Sequence, residues 1–305
     1  MSKLAASSTI SIVTSSKDRQ SDVVLLLKSL ASQSLKPIEV IIVDSSRNDS
    51  SRERLADFER ETGIHGVYIH NPRATLARAR NLGLSLSMGE LVTYVDDDAV
   101  LDEHYLEEIA KLFAADTGHR IAGATGERIT RLDGSAGKLT TGGPLLNAYT
   151  FFAKAFLLVH YGNGELLPSG HPTIIRPGSI SVPVRVAYLV GANMSFRRDV
   201  LKKLRFDEDL PYFDDNDISF RVGMDYQLAY VPSAKFVHFF AKGGQGRGME
   251  RCRKEVHYYL LFREKNFPPT LRNILLSYWA SMGFYLRASM ARLLRPVLKN
   301  HITTY

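Results

Sequence analysis

Short apolar runs alternate with segments of helical periodicity through the first hundred residues, and this alternation constrains the fold most strongly. Four apolar runs have the length of a strand: residues 10–14, 40–43, 67–69 and 91–95. Three segments between them repeat apolar side chains at helical spacing: residues 22–31, 51–61 and 75–87. The order strand, helix, strand, helix predicts an α/β fold with a parallel, doubly wound sheet.

Three consecutive aspartates follow the last of these runs. At the end of a buried strand, Asp96, Asp97 and Asp98 would repel one another and lose hydration unless a cation or hydrogen-bond donors met them. Carboxylate oxygens suit Mg²⁺ or Mn²⁺, and Mg²⁺ is usually shared with the phosphates of a substrate. The pattern predicts a metal-bridged phosphate ligand at the carboxyl ends of the strands. The alternative is an acidic turn that caps the next helix.

Composition limits the class of partner and the compartment. The 305 residues carry a formal net charge of +7, which favours nucleic acid, anionic membranes or sugar nucleotides as partners. The single cysteine, Cys252, excludes an intrachain disulfide. The first eight residues lack the basic start and apolar run of a secretory signal, so a cytoplasmic protein is expected. Residues 271–290 are too polar to span a bilayer, which leaves contact with the inner face of the membrane open.

The second half of the chain is less regular. Residues 131–183 are rich in Gly, Pro and Thr and predict an irregular insertion. Strands are predicted at residues 187–190 and 228–231, on either side of an acidic loop at 207–217. A basic, Gly-rich segment at 242–248 precedes a helical tail.

Several motifs occur in the order and spacing of one known family: residues 10–19, 39–44, 79–83, 89–90, 95–98, 191–197 and 213–217. On these residues the chain resembles the inverting family-two glycosyltransferases over residues 9–265. The resemblance implies the GT-A fold, a Rossmann-like, mostly parallel central sheet flanked by helices, here with a helical C-terminal extension. It implies a catalytic domain at 1–265, with nucleotide-binding and acceptor-binding parts at 9–125 and 126–265, and a helical tail at 266–305.

The resemblance implies that one set of residues binds the nucleotide sugar: Thr14, Ser16, Arg19, Asp44, Arg80, Asn81, Asp96 and Asp97. Asp44 would accept a hydrogen bond from the base, although Ser45 and Ser46 depart from the family's usual sequence there. A cap of the following turn is the alternative for Asp44, and a solvated helix face is the alternative for Arg80 and Asn81.

The metal and the catalytic base are implied in the same way. Mn²⁺ or Mg²⁺ would be held by Asp98 with Asp96 and His238, a structural histidine being the alternative for His238. Asp215, the second acid of a segment similar to the family's Glu-Asp-x-Asp pattern, would remove the acceptor's proton. An N-cap cluster is the alternative for these acids.

Two further groups of residues complete the implied site. The first would contact the acceptor or the transferred sugar: Gly191, Ala192, Asn193 and Asp214. The second resembles a basic, Gly-rich lid over the diphosphate, with a surface loop as the alternative: Lys242, Gln245, Arg247 and Arg251.

The leading hypothesis is transfer of a sugar from a UDP- or dTDP-sugar to a hydroxyl of a glycan or lipid-linked saccharide, with inversion and metal assistance. A sugar-phosphate nucleotidyltransferase is the alternative enzyme, although residues 14–17 lack the glycines of its phosphate loop. A basic nucleic-acid-binding protein is suggested by the positive net charge, but residues 251–254 with Tyr258 and Tyr259 form the only modest basic and aromatic stretch, so no nucleic-acid partner is expected. The C-terminal helix could contact a membrane, a second subunit or the catalytic domain.

Overall fold

A computed structural model describes residues 8–129, 144–239 and 248–294. The chain divides into two compact units, Met1–Leu139 with Pro177–Phe239, and Thr140–Arg176 with Phe240–Tyr305. The strands are β1 (Ile10–Ser16), β2 (Glu39–Asp44), β3 (His65–His70), β4 (Leu91–Val95), β5 (Ala99–Leu101), β6 (Ile121–Ile129), β7 (His160–Tyr161), β8 (Thr173–Ile174), β9 (Val184–Val186), β10 (Asn193–Arg197) and β11 (Gln227–His238). The helices are α1 (Gln20–Ala31), α2 (Ser50–Thr62), α3 (Leu76–Leu86), α4 (Tyr105–Ala115), α5 (Pro144–Ala155), α6 (Arg198–Leu204), α7 (Asp214–Asp225), α8 (Gly248–Asn266) and α9 (Leu271–Leu294).

One sheet runs through the first unit in the order β3-β2-β1-β4-β10-β6-β11-β5, with β9 also paired to β11. Strands β3, β2, β1 and β4 are mutually parallel, and β6 is parallel to β11. Strand β10 is antiparallel to both of its neighbours, and β5 and β9 are antiparallel to β11. This is the predicted α/β fold with a mostly parallel central sheet flanked by helices, which is thereby confirmed.

The parallel half forms where the apolar runs predict it. Every residue of β2 and β4 is buried, as expected for parallel strands covered by helices on both faces. Helix α3 approaches β1 closely at Gly83, where a Cβ atom would lie 2.3 Å from Cγ1 of Val13. A residue without a side chain is therefore needed at this helix–strand contact.

Strand β10 brings a second chain segment to the end of β4. Asn193 pairs with Val95, and the amide of Asp96 donates to the carbonyl of Ala192 at 3.0 Å. The strand predicted at residues 187–190 is wrong, because the strand there ends at Val186 and the following residues are irregular. Leu189 in this segment is fully buried, so its apolar character reflects burial of a loop and not pairing in a sheet.

The second unit contains α5, β7, β8, α8 and α9, which include the predicted helical C-terminal extension. Arg263 of α8 donates to Ser277 of α9 at 3.0 Å, and the hydroxyl of Tyr259 donates to the carbonyl of Ser169 at 2.8 Å. None of the helices among the described residues combines the length and apolar character that crossing a bilayer requires. The domain boundary expected at residue 265 stays a prediction.

Candidate active site

The three aspartates after β4 lie at the carboxyl edge of the sheet and face different partners. The backbone turns sharply there, since the amide of Ala99 donates to the carbonyl of Asp96 at 3.1 Å. The carbonyl of Asp98 accepts from the amide of Phe239, just beyond β11, at 3.0 Å. The sheet and the turn therefore direct neighbouring carboxylates toward different sides of the chain.

Asp96, Asp98 and His238 form a group that could hold a metal ion. Each offers one ligand atom, and these atoms all lie within 4.8 Å of one another. Nε2 of His238 is 2.8 Å from Oδ1 of Asp98 and 3.8 Å from Oδ2 of Asp96. Asp98 is buried, whereas about a third of the Asp96 side chain is open to solvent at 33% exposure. Because Asp96 is open to solvent while Asp98 and His238 are more enclosed, an ion held by these three residues could also contact a substrate.

Asp97 points to the other side of the turn, toward β1. Its Oδ2 accepts from the hydroxyl of Ser16 at 2.8 Å, and its Oδ1 accepts from Nη1 of Arg19 at 3.0 Å. Nη1 of Arg19 also lies 3.5 Å from Oδ2 of Asp98. Burial raises the pKa of Asp97 to about 6, although Ser16 and Arg19 act in the opposite direction. Ser16 and Arg19 thus lie beside the acidic turn, and their contact with a nucleotide sugar stays a prediction.

Arg80 of α3 connects the acidic turn to α7. It is buried, its Nη1 donates to Oδ2 of Asp214 at 2.5 Å, and its Nη2 donates to the carbonyl of Gly191 at 2.8 Å. Nη2 also lies 3.5 Å from Oδ1 of Asp96. Burial raises the pKa of Asp214 to about 6, against the attraction of Arg80, and burial likewise raises the pKa of Asp96. The solvated helix face considered for Arg80 is excluded by its burial.

Asp215 opens α7 together with Asp214 and is partly exposed. Its Oδ2 accepts from the hydroxyl of Tyr188 at 2.6 Å, and its Oδ1 accepts from the amide of Asn216 at 2.9 Å. Gly191 leaves room for this carboxylate, because a Cβ atom there would lie 2.6 Å from Oδ2 of Asp215. The helix begins after Phe213, whose φ of 66° is uncommon for a bulky residue.

Tyr188 is a site residue that the sequence pattern missed. Burial and the adjacent Asp215 raise its pKa well above the usual value, so the phenol remains a proton donor in this hydrogen bond. The apolar residues around Tyr188 predicted a strand, and tyrosine is common in strands without any functional role. No local sequence pattern distinguishes it from an ordinary buried tyrosine.

Asp44 lies at the end of β2, as predicted, and is fully buried. Its Oδ1 accepts from the amide of Ser46 at 2.8 Å, which is the turn cap weighed as the alternative. Its Oδ2 accepts from the hydroxyl of Tyr68 at 2.8 Å. The carboxylate thus fixes the loop after β2, and its contact with a nucleotide base stays a prediction.

Three more predicted residues are enclosed by the protein. Asn81 exchanges hydrogen bonds with the backbone of Phe206 and donates to Glu208, so it anchors the loop before α7. Asn193 is buried and accepts a hydrogen bond from the hydroxyl of Tyr105, which turns its side chain toward α4. Thr14 is buried in β1, and within the described part of the chain its hydroxyl has no hydrogen-bond partner.

The predicted lid falls mainly outside the described residues. Lys242, Gln245 and Arg247 lie outside the described residues. Arg251 lies in α8 of the second unit, where its Nε donates to Oε1 of Glu255 at 2.8 Å. The role of these four residues stays a prediction.

Negative charge exceeds positive charge at this edge of the sheet. Ion pairs link four carboxylates to two guanidinium groups here: Asp96, Asp97, Asp98 and Asp214, with Arg19 and Arg80. Asp215 acts on Arg80 electrostatically. The raised pKa values of three of these acids reflect the cost of holding so many carboxylates with little water. A divalent cation would relieve that excess, and the carboxylate and imidazole ligands at hand suit Mn²⁺ or Mg²⁺.

Comparison with known sequences identifies a family. The model of the family described as glycosyl transferase family 2 matches residues 11–205. Glycosyltransferase GlyA of Streptococcus pneumoniae serotype 4 is 35% identical over 85 residues, which are 28% of this chain and 12% of GlyA. The chain spans between 12% and 28% of the length of the curated glycosyltransferases that it matches.

Solved structures resemble the chain over almost its full length. The mannosyltransferase PcManGT from Pyrobaculum calidifontis, in complex with GDP-Man and Mn²⁺, has a TM-score of 0.58 and 16% identity over 95% of this chain and 75% of that chain. Residues 1–349 of TarS from S. aureus, in complex with UDP-GlcNAc, have a TM-score of 0.57 and 13% identity over 97% of this chain and 76% of that chain. At such low identity the likeness concerns the fold, and it confirms the predicted GT-A fold.

Proposed function

Because the chain belongs to glycosyl transferase family 2, we propose that it transfers a sugar from a nucleoside-diphosphate donor to a hydroxyl group of an acceptor, with inversion at the anomeric carbon. The observation that carries this proposal is the group of Asp96, Asp98 and His238 at the carboxyl edge of the sheet, with ligand atoms within 4.8 Å of one another. Ligands of doubly wound sheets bind at this edge.

The donor would bind along this edge from β1 to β4. A bound Mn²⁺ or Mg²⁺ would bind the diphosphate and offset the charge that develops on the departing nucleoside diphosphate. Asp96, Asp98 and His238 would hold it, and the complexes of PcManGT with GDP-Man and Mn²⁺ and of TarS with UDP-GlcNAc support such a donor. Arg19 keeps Asp97 and Asp98 oriented and adds positive charge beside them.

The base would be bound near the ends of β1 and β2, and UDP or dTDP is our proposed donor nucleotide. Direct contact of a base with Asp44 requires the loop after β2 to open, because the side chain is fully buried and each of its carboxylate oxygens accepts one internal hydrogen bond. The unpartnered hydroxyl of Thr14, considered among the described residues, is a further candidate for donor recognition.

Asp215 would be the base. The acceptor oxygen bonds to the anomeric carbon, its proton passes to a carboxylate oxygen of Asp215, and the bond from that carbon to the phosphate oxygen breaks as the nucleoside diphosphate leaves. Tyr188 fixes Oδ2 of Asp215, while Arg80 balances the charge of the adjacent Asp214. The acceptor is proposed to be a glycan or a lipid-linked saccharide, bound on the side of Asp215 and Gly191.

Release of nucleoside diphosphate from a panel of nucleotide sugars, with Mn²⁺ and candidate acceptors, tests this function. The wild-type chain should turn over at least one donor, and NMR of the product should show the inverted anomeric configuration. Asp215→Asn should lower kcat by about 100-fold or more, since general-base catalysis contributes that much. Asp225→Asn, an exposed change at the other end of α7, is the control. Undiminished kcat in Asp215→Asn, or a retained configuration, contradicts the proposal.

A further inference from the structure

Helix α9 in the second unit has an exposed face that is more apolar than its buried face. Nine large apolar side chains are exposed along it: Leu271, Ile274, Leu275, Tyr278, Trp279, Met282, Tyr285, Leu286 and Met290. Apart from Phe284, the buried side consists of small or polar residues: Ser277, Ala280, Ser281 and Gly283. A helix on the surface of a water-soluble protein normally shows the reverse arrangement. The outer face of α9 therefore requires a cover.

Contacts of the buried face, and of Trp279 at the edge of the exposed face, fix this orientation. Ser277 accepts a hydrogen bond from Nε of Arg263 at 3.0 Å, and Gly283 lies where a Cβ atom would be 2.5 Å from Cβ of Phe156. Trp279 stacks on Phe156 with ring centroids 4.9 Å apart, and its Nε1 donates to the carbonyl of Ala155 at 2.7 Å. Rotation of the helix would break these contacts. The apolar face is consequently held outward.

The charge along this part of the chain indicates what covers the face. From residue 265 to residue 305 the sequence has six basic residues and no acidic one: Lys265, Arg272, Arg287, Arg292, Arg295 and Lys299. Arg272 and Arg292, near the two ends of α9, are exposed. Arg287 is paired with Glu255 at 2.9 Å. A long apolar face with cations at both ends matches the boundary between the headgroups and acyl chains of an anionic bilayer.

A second copy of the chain fits the same face less well. Two α9 helices packed face to face would bring their arginines together, and no acidic residue of either helix could oppose them. The exposed face of α9 combines tyrosine, tryptophan and long apolar side chains, which is the composition of interfacial anchors in membranes. We propose that α9 docks in the plane of an anionic lipid surface, with its apolar face in the interface and Arg272 and Arg292 at the lipid phosphates.

Sedimentation of the full chain with lipid vesicles tests this docking. Vesicles of phosphatidylcholine mixed with phosphatidylglycerol should bind the chain, vesicles of phosphatidylcholine alone should bind it poorly, and added NaCl should weaken binding. Leu275→Ser combined with Met282→Ser should weaken binding by at least about tenfold, since two apolar side chains no longer enter the interface. Met88→Ser removes an equally exposed side chain from the first unit and should bind like the wild type.

The role of charge has its own matched pair. Arg272→Glu combined with Arg292→Glu should weaken binding to the anionic vesicles by at least about tenfold. Lys202→Glu combined with Lys203→Glu makes the same change of net charge on α6 and should have a much smaller effect. Equal thermal midpoints across the set would establish that the variants fold.

Three results would overturn the proposal. The first is no sedimentation with anionic vesicles. The second is unchanged binding in the Leu275/Met282 or Arg272/Arg292 variant. The third is a dimer in analytical ultracentrifugation that the Leu275/Met282 variant dissociates, in a chain that binds no vesicles; the cover would then be a second copy.

Discussion

Arg80 connects the two acidic segments of the site, residues 96–98 and 214–215. It is buried, bonded to Asp214, and placed between Asp96 and the carbonyl of Gly191. Asp214, Asp96 and Asp215 raise its pKa against the opposing effect of burial, so the guanidinium stays charged. A buried ion pair of this kind costs desolvation, and its gain lies in fixed geometry. Here it holds the proposed base segment beside the proposed metal ligands.

Gly191→Ala should displace the proposed base without unfolding the protein. The new Cβ atom would lie 2.6 Å from Oδ2 of Asp215, so the carboxylate must move. A shift of about 1 Å at a reacting group can lower the rate about 100-fold, and we expect kcat to fall by that order. Steady-state kinetics and thermal unfolding measure the two effects.

The control for Gly191→Ala is Gly118→Ala, whose Cβ atom would meet Arg120 at an ordinary 3.6 Å. It should retain wild-type kcat. A Gly191→Ala variant with wild-type kcat would show that the position of the Asp215 carboxylate does not limit the reaction.

The charged residues of the site were more predictable from the sequence than the residues that hold them in position. The repulsion among Asp96, Asp97 and Asp98 already required compensating groups, and the structure supplies Arg19, Ser16 and His238. Tyr188 could not be found in this way, because its hydrogen bond to Asp215 joins positions 27 residues apart and depends on an irregular loop. Side-chain direction, as in Asn193 turned toward Tyr105, is likewise set by tertiary packing.

At the scale of elements, the parallel strands were predictable because their burial on both faces requires apolar runs. The predicted runs at 40–43 and 91–95 lie within β2 and β4. The error at residues 187–190 has the same origin, since a buried loop can be as apolar as a strand. A strand at residues 194–196 is indicated by the sequence, but its antiparallel position between β4 and β6 was not predictable, because the choice of neighbouring strands depends on tertiary packing.

Gly83→Ala should loosen the contact between α3 and β1. Alanine favours a helix over glycine by about 1 kcal/mol, but the new Cβ atom would lie 2.3 Å from Cγ1 of Val13. Overpacking of a core costs about 1–3 kcal/mol, so we expect a lower free energy of unfolding in urea. Gly223→Ala in α7, where nothing lies within 4 Å, should instead be neutral or stabilising. Greater stability of Gly83→Ala than of the wild type would contradict this contact.

His171 makes the second unit sensitive to acid. It is buried and stacks on Tyr259 of α8, with ring centroids 4.6 Å apart, and close to Phe284 of α9 at 5.3 Å. Burial, aided by Arg287 and Arg263, lowers its pKa to about 3. An unfolded histidine has a pKa of about 6.5, so between these values the unfolded chain binds the extra proton. The contribution of His171 to stability is thus present above pH 6.5 and is lost as the pH falls toward 3.

The expected acid effect can be isolated by comparing wild type with His171→Gln. Between pH 7 and pH 5 the free energy of unfolding of the wild type should fall by about 2 kcal/mol more than that of the variant. Urea unfolding at both pH values measures the difference. Parallel pH dependence of the two proteins would show that the ring is protonated as easily in the folded chain.

At the scale of the whole molecule, the formal charge of +7 is unevenly distributed. The candidate site is acidic, whereas residues 265–305 carry only positive charges. The diphosphate of a sugar donor is negatively charged and would be repelled by such an acidic site unless a cation lay between them. Binding of the metal and binding of the nucleotide are therefore interdependent. Composition alone favoured an anionic partner but did not show where cations and anions would be needed.

Thermal unfolding with Mn²⁺ and a panel of nucleoside diphosphates tests whether the acidic edge of the sheet binds a metal and a nucleotide together. We expect Mn²⁺ and one nucleotide together to raise the midpoint more than the sum of their separate effects, and a ligand at 100-fold excess over Kd to stabilise the fold by about 2.7 kcal/mol. Asp98→Ala should abolish this joint effect, whereas Asp225→Ala, an exposed change on the same unit, should preserve it. A midpoint unchanged by every pair, or a joint effect of the same size in Asp98→Ala, would contradict metal-dependent binding of a nucleotide at this site.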